Sequence, residues 1–158
     1  MGHQLTDNVK FLQKAVIIKD NKALILKRSV DSKSRPGCWD LPGGNSEWPK
    51  KTSKDLENSY KEDISREILE ETGFNVSSDL FVGEKMVYFG TYFEATKQVY
   101  TVICGWKVSD ISDIDASQVK LSSEHTENTW ISLDELVKYD FGGEKGKFIV
   151  EMIKLSFS

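Results

Sequence analysis

At 158 residues, with 39% hydrophobic and 29% charged side chains, the chain is long enough to bury one core without staples. A formal net charge of −4 without a Lys/Arg cluster argues against a protein that coats a nucleic-acid polymer. No apolar run approaches the roughly 20 residues of a membrane span. Cys38 and Cys104 are the only cysteines and could pair. The start of the chain has no leader pattern, so two reduced thiols in a cytoplasmic protein are expected.

In chain order, residues 1–8 are polar and are expected to fray, leaving 9–158 as a single domain. Val9 to Lys19 thickens into Ala15-Val16-Ile17-Ile18, a strand signal. Asp20-Asn21 reads as a turn, and Ala23 to Leu26 returns as a second strand ending at Lys27-Arg28-Ser29. A polar loop over Val30 to Gly37 leads to Cys38-Trp39-Asp40-Leu41-Pro42-Gly43-Gly44. Trp39 is assigned to core packing. The glycines let the backbone turn sharply and approach a metal or phosphate closely.

Asn45 to Asn58 is a polar stretch with Lys50, Lys51 and Lys54, read as a solvated loop. A helix is expected over roughly Leu56 to Thr72, its buried side marked by Ile64, Ile68 and Leu69 and its end by Gly73. Leu80 to Gly83 and Met86 to Phe89 read as strands, and Gly90 to Glu94 as an aromatic hairpin. Gln98 to Val108 alternates most clearly. Ser109 to Gln118 is a linker. Ser132 and Glu135 then form a capping box. Phe148 to Leu155 is a closing amphipathic helix. Strands, helix, strands and helix add up to an α/β sandwich.

The chemistry concentrates in Arg66-Glu67-Ile68-Leu69-Glu70-Glu71-Thr72-Gly73-Phe74. At about 100° per residue, Glu67, Glu70 and Glu71 share one stripe, with Asp63 a turn earlier. Like charges at this spacing destabilise a bare helix by a few tenths of a kcal/mol per pair (~0.2–0.5). Such a stripe can instead gather oxygen ligands for a divalent cation such as magnesium, which bridges carboxylates to substrate phosphates.

This run, with Leu41-Pro42-Gly43-Gly44 upstream, resembles the signature of the Nudix hydrolase superfamily (MutT-like), Gly-x5-Glu-x7-Arg-Glu-U-x-Glu-Glu-x-Gly-U, where U is aliphatic or aromatic. The last nine positions match without a gap. Two departures stand out. Asn58 occupies the place of the first Glu, and 14 positions separate it from Gly44 where the pattern has six. Eight extra residues therefore lie within 45–56, and weakened rather than abolished metal binding is expected. Glu57 or Glu62 is a candidate to take over a supporting contact.

The resemblance implies a Nudix-type α/β/α sandwich with a mixed sheet between helices. It implies Mg²⁺, with Mn²⁺ as an alternative, held by Glu67, Glu70, Glu71 and the Gly43 carbonyl. Arg66 and Glu67 belong to the implied catalytic set, and Gly44 and Arg28 to the substrate contacts, Arg28 steadying a phosphate. The resemblance also implies a strand opening on Trp130 and a helix start at Ser132, and Glu124, six residues before Trp130, is the implied general base or additional metal ligand, preferred over His125. The implied reaction is hydrolysis of a nucleoside diphosphate linked to another group, foremost a nucleoside triphosphate releasing a monophosphate and pyrophosphate. A dinucleoside polyphosphate hydrolase, suggested by Tyr92 eighteen residues after the box, and a catalytically impaired nucleotide-binding module are the alternatives. A nucleotide is the expected partner, with no membrane, in a monomer or homodimer.

Overall fold

The computed structural model describes residues 8–49, 56–109 and 111–158. The expected fraying of residues 1–7 and the three lysines of the 50–55 segment fall outside that set.

Seven strands build the centre: β1 (Val9–Lys19), β2 (Lys22–Arg28), β3 (Trp39–Asp40), β4 (Gly43–Asn45), β5 (Met86–Glu94), β6 (Val99–Val108) and β7 (His125–Ile131). The order is β3-β2-β1-β6-β5, with β4 pairing β1 and β7 pairing β2. β1 runs parallel to β6 from Val9↔Tyr100 to Ile17↔Val108, while the other pairs are antiparallel, so the sheet is mixed. Helices α1 (Tyr60–Thr72) and α2 (Lys147–Ser156) cover its two faces.

Period-two alternation explains why both faces need a cover. Ala15, Ile17, Leu24 and Leu26 point to the α1 side, with Ile64, Ile68, Phe81 and Trp106. Val16, Ala23 and Ile25 point to the α2 side, with Leu41, Ile131, Ile149, Met152 and Ile153. The fold is thus an α/β/α sandwich, and the continuous apolar runs of β1 and β2 follow from burial on both sides. Among the described residues no helix is long and apolar enough to cross a membrane. Both cysteines are free thiols; Cys104 is buried, and burial pushes it up to about 11.

Five boundaries differ from the sequence reading. Helix α1 begins at Tyr60 rather than Leu56, because Asn58 adopts the left-handed backbone (φ 54°) and its carbonyl accepts the Lys61 N–H. Asn is among the residues that tolerate this conformation, which a Glu disfavours. Leu80 to Gly83 is no strand: Ser78–Leu80 and Gly83–Lys85 form two 3-10 turns. Gly90 to Glu94 is no hairpin but the second half of β5, paired from Gly90↔Ile103 to Glu94↔Val99, and the turn lies beyond it. β7 opens at His125, five residues before Trp130, because the chain there already pairs with β2, from Arg28↔His125 to Ile25↔Thr129. The segment after Ser132 is a 3-10 helix, Leu133–Lys138; the Ser132 N–H and O–H both donate to Glu135 Oε1, at 3.1 and 2.9 Å.

Gly73 ends α1 as expected, with φ 79° and its N–H on the Leu69 carbonyl at 2.9 Å. Leu69, by contrast, is 48% exposed and does not belong to the buried side. Trp39 is half-buried, edge-on to Tyr139 at 5.2 Å.

Candidate active site

Four elements converge where β1 pairs with β4. The buried Gln13 of β1 donates from Nε2 to the Tyr60 carbonyl at 3.0 Å and to Ser46 Oγ at 3.3 Å, and accepts from Trp106 Nε1 at 3.0 Å. Tyr60 stacks on the Trp106 ring at 5.7 Å and 3°. The first turn of α1 is thereby seated on the sheet, and this sets where the acidic residues of its last two turns arrive.

There the acidic stripe divides. Glu71 is buried and accepts the Gly43 N–H at 2.8 Å. Glu67 lies half-buried against Gly44, where an added Cβ would come within 2.9 Å of its carboxyl carbon. That absence of a side chain gives the carboxylate its space. Glu70 stays exposed, with both oxygens 3.1 Å from Arg66 Nη1. Arg66 also reaches Glu67 at 3.3 Å, Asp63 at 3.8 Å and Glu47 at 3.9 Å. Asp63 is half-buried and takes a hydrogen bond from Ser46, so it, rather than the exposed Glu62, extends the acidic cluster toward the loop.

From the opposite side the start of β7 brings His125, with Glu124 in the turn just before it. Glu71, Glu124 and His125 each offer an atom within 4.8 Å of the others, the set among the described residues that could hold one cation. Glu67 and Glu70 stand outside it, tied to Arg66. The donors suit a divalent ion, since two carboxylates converge with an imidazole and His125 Nδ1 is buried without a hydrogen-bond partner.

Burial is the chief influence on these groups. It pushes the Glu71 carboxyl up to about 8, with Lys14 and the Gly43 N–H opposing and Glu67 and Asp40 adding to the rise. Glu67 is raised for the same reason, against the attraction of Arg66. His125 is lowered to about 4 by burial, helped by Lys14 and Arg28. Buried carboxyls favour the neutral acid and buried imidazoles the neutral base.

Beneath the site lies a charge cluster that sequence reasoning missed. Asp40, wholly buried, receives Arg28 at 2.8 Å, Arg35 at 2.8 Å and Lys14 at 3.2 Å on a single oxygen. Its other oxygen accepts the Leu41 N–H at 2.7 Å. Burial alone would raise this carboxyl; the cations outweigh it and hold it at about 2. Lys14 Nζ also donates to the carbonyls of Leu41, at 3.2 Å, and Gly43, at 3.4 Å. One signal was available: Lys14 follows Leu12 and precedes Val16 on a face that is otherwise apolar.

Arg28 Nε donates to the Ser34 carbonyl at 2.8 Å, so this side chain braces the 29–38 loop while lining a cleft of about 480 Å³. Ser29, Lys33, Ser123, Glu124 and His125 share that cleft. It is open, polar and continuous with the acidic cluster.

Comparison with known proteins places the chain in a family and a fold. The NUDIX domain family profile matches residues 13–152. A MutT-like protein from Streptomyces ambofaciens is 26% identical over 121 residues, covering 77% of this chain and 62% of its own length. The chain therefore spans under two thirds of that relative. Among solved structures, the MutT protein of Methanosarcina mazei Go1 superposes with a TM-score of 0.66 at 24% identity, covering 96% of each chain. An ADP-ribose pyrophosphatase from Streptococcus suis superposes at 0.57 with 22% identity, covering 94% of this chain and 89% of its own. With the profile matching residues 13–152 and the sandwich fold in common, the chain belongs to the NUDIX domain family.

Proposed function

We propose that residues 9–158 form one domain that hydrolyses a nucleoside diphosphate linked to another group, foremost a nucleoside triphosphate, releasing a monophosphate and pyrophosphate with Mg²⁺. The observation that carries this reading is the meeting of Glu71, Glu124 and His125 within 4.8 Å at the mouth of a cleft lined by Arg28 and Lys33. Glu71 and Glu124 would hold a divalent ion there, with the Gly43 carbonyl and, once released from Arg66, the carboxylates of Glu67 and Glu70 as further oxygen ligands; it would supply neutralising charge for a diphosphate and lower the pKa of a nearby water.

The chain's own groups do the rest. Glu124, exposed at the cleft, accepts a proton from the attacking water. Arg28 and Lys33 present positive charge to the substrate phosphates. Arg66 orients Glu67 and Glu70 through its ion pairs, and Gly44 leaves room for Glu67 and for a substrate phosphate to approach the main chain. A polyphosphate suits this site because oxyanions need cations, and Arg28 and Lys33 line the cleft beside Glu124 and His125.

A panel of nucleoside triphosphates, dinucleoside polyphosphates and ADP-ribose, assayed for phosphate-anhydride cleavage with and without Mg²⁺, tests the reading. Metal-dependent turnover of one member, lost by about 10³-fold or more in Glu71→Gln, is expected. A folded Glu71→Gln variant with undiminished rates sinks it. Nucleotide binding without turnover in the unaltered protein shifts the assignment to a binding module, for which Asn58 and the lengthened loop would be the reason.

A further inference from the structure

We propose that His125 is itself a metal ligand, one of its ring nitrogens joining the Glu71 and Glu124 carboxylates, so that the site favours manganese, cobalt or zinc over magnesium.

Three independent observations point there. A ring nitrogen of His125 lies within 4.8 Å of ligand oxygens of both Glu71 and Glu124. The residue is only 7% exposed, and its Nδ1 is buried with no hydrogen-bond partner. Buried polar atoms in folded proteins are almost always satisfied, by protein, water or an ion.

The third observation concerns how the side chain comes to face the site. β7 pairs Lys27↔Glu127 and then Arg28↔His125, skipping Thr126. Without this irregularity, residues 125 and 127 would share a face, and Glu127 is exposed to solvent. The extra residue re-aims His125 inward, as bulges beside active sites do.

The chemistry then follows from the donors. Magnesium takes oxygen ligands almost exclusively, whereas imidazole suits borderline cations such as zinc, and to a lesser degree cobalt and manganese. Each carboxylate has two oxygens, so Glu124 can hold the ion with one and keep the other for a water proton. The neighbouring cations do not forbid a metal, because Lys14, Arg28 and Arg35 are already bound to Asp40. This inference rests on the acidic cluster being the metal site, and it adds the imidazole and the resulting metal preference.

The chain has two histidines, His3 and His125, so ring-nitrogen NMR of the ¹⁵N-labelled full chain reads the site directly, with His3→Gln assigning the signals. On saturation with Zn²⁺, one His125 ring nitrogen is expected to move to the metal-bound range. Unmoved His125 nitrogens at saturation overturn the proposal, and this measurement needs no variant at position 125. Mn²⁺ titration followed by electron paramagnetic resonance supplies the second readout. His125→Gln is expected to weaken Mn²⁺ binding about tenfold while changing competition by Mg²⁺ less than about threefold, as loss of one nitrogen ligand requires. Equal weakening of both metals refutes the imidazole's part in selectivity. Zn²⁺ coordination by His125 without nucleotide turnover would reject the hydrolase reading alone; turnover with a silent imidazole would reject this inference alone.

Discussion

Glu71 and His125 sit side by side with protonation preferences displaced in opposite senses, and their consequences for stability can be separated. Glu71 is raised from 4.5 to about 8, so the folded state holds a proton between those values that the unfolded chain has lost. Stability therefore falls with rising pH across that window. His125 is lowered from 6.5 to about 4, so over that interval the unfolded chain holds the extra proton and stability rises with pH. From 4.5 to 6.5 the two cancel. Of the two, Glu71 alone acts from 6.5 to 8, and the metal-free protein is expected to lose on the order of 1 kcal/mol per pH unit there. Urea unfolding in the presence of chelator, repeated at half-unit pH steps, checks this; Glu71→Gln should abolish the decline above pH 6.5. Metal must displace the same proton, so affinity for a divalent ion should climb with pH up to about 8.

Asp40 presents the opposite case, a buried carboxylate with more cations than it can neutralise. Asp40→Asn leaves Lys14, Arg28 and Arg35 facing one another with no anion between them. Breaking a buried network from one side costs about 3–5 kcal/mol. A loss of that order in chemical denaturation is expected, and a loss under 1 kcal/mol would show that the three cations relax into water. Because Asp40 is held at about 2, its contribution is fully present above its ordinary 3.8 and disappears only as pH falls through about 2.

At the level of elements, two glycines separate a structural from a functional role. Gly73 caps α1 with φ 79°, and a Cβ there would also meet Lys120 Cβ at 3.1 Å. Gly73→Ala should cost about 1–2 kcal/mol in stability. Gly44 has no such backbone constraint; its Cβ would press on the Glu67 carboxylate at 2.9 Å, the far end of a flexible side chain. Gly44→Ala should therefore leave the melting temperature within a few degrees while weakening divalent-metal binding by about fivefold, near 1 kcal/mol. Calorimetry on both variants distinguishes them: equal melting losses would mean the Gly43-Gly44 loop is primarily a folding element.

Across the whole molecule, the sandwich exists to hold α1 against β1 and β4 while β7 approaches from the far side of β2. Glu71, Glu124 and His125 lie within 4.8 Å of one another, so any ion they shared would tie α1 to the start of β7. Binding only to the folded state stabilises by RT ln(1 + [L]/Kd), about 2.7 kcal/mol at a hundredfold excess over Kd. Saturating divalent metal is expected to raise the melting temperature by several degrees in the native chain and not in Glu71→Gln. An unchanged melting temperature in the native chain would exclude a shared ion as a clamp between these elements.

Residues 66 to 74 and 39 to 44 were legible in the sequence because their chemistry is local: a helix places i, i+3 and i+4 on one side, and glycine caps whatever helix precedes it. The same holds for β1, β2, β6 and the closing helix, whose periodicity declares which faces are buried. Local periodicity could not decide where Leu80 to Gly83 would go, since a short apolar run is compatible with strand or tight turn until its pairing partner is known. Nor could it divide the acidic stripe into a buried Glu71 and an exposed Glu70, which depends on how far α1 is seated by Gln13, Tyr60 and Trp106. The Asp40 cluster joins residues 14, 28, 35 and 40 from three strands and a loop, and the inward turn of His125 arises from a single skipped pairing. The chain's own order determined the family, the sandwich and the helix that bears the carboxylates; burial and strand register, which exist only once distant segments pack, decided which of those groups meet.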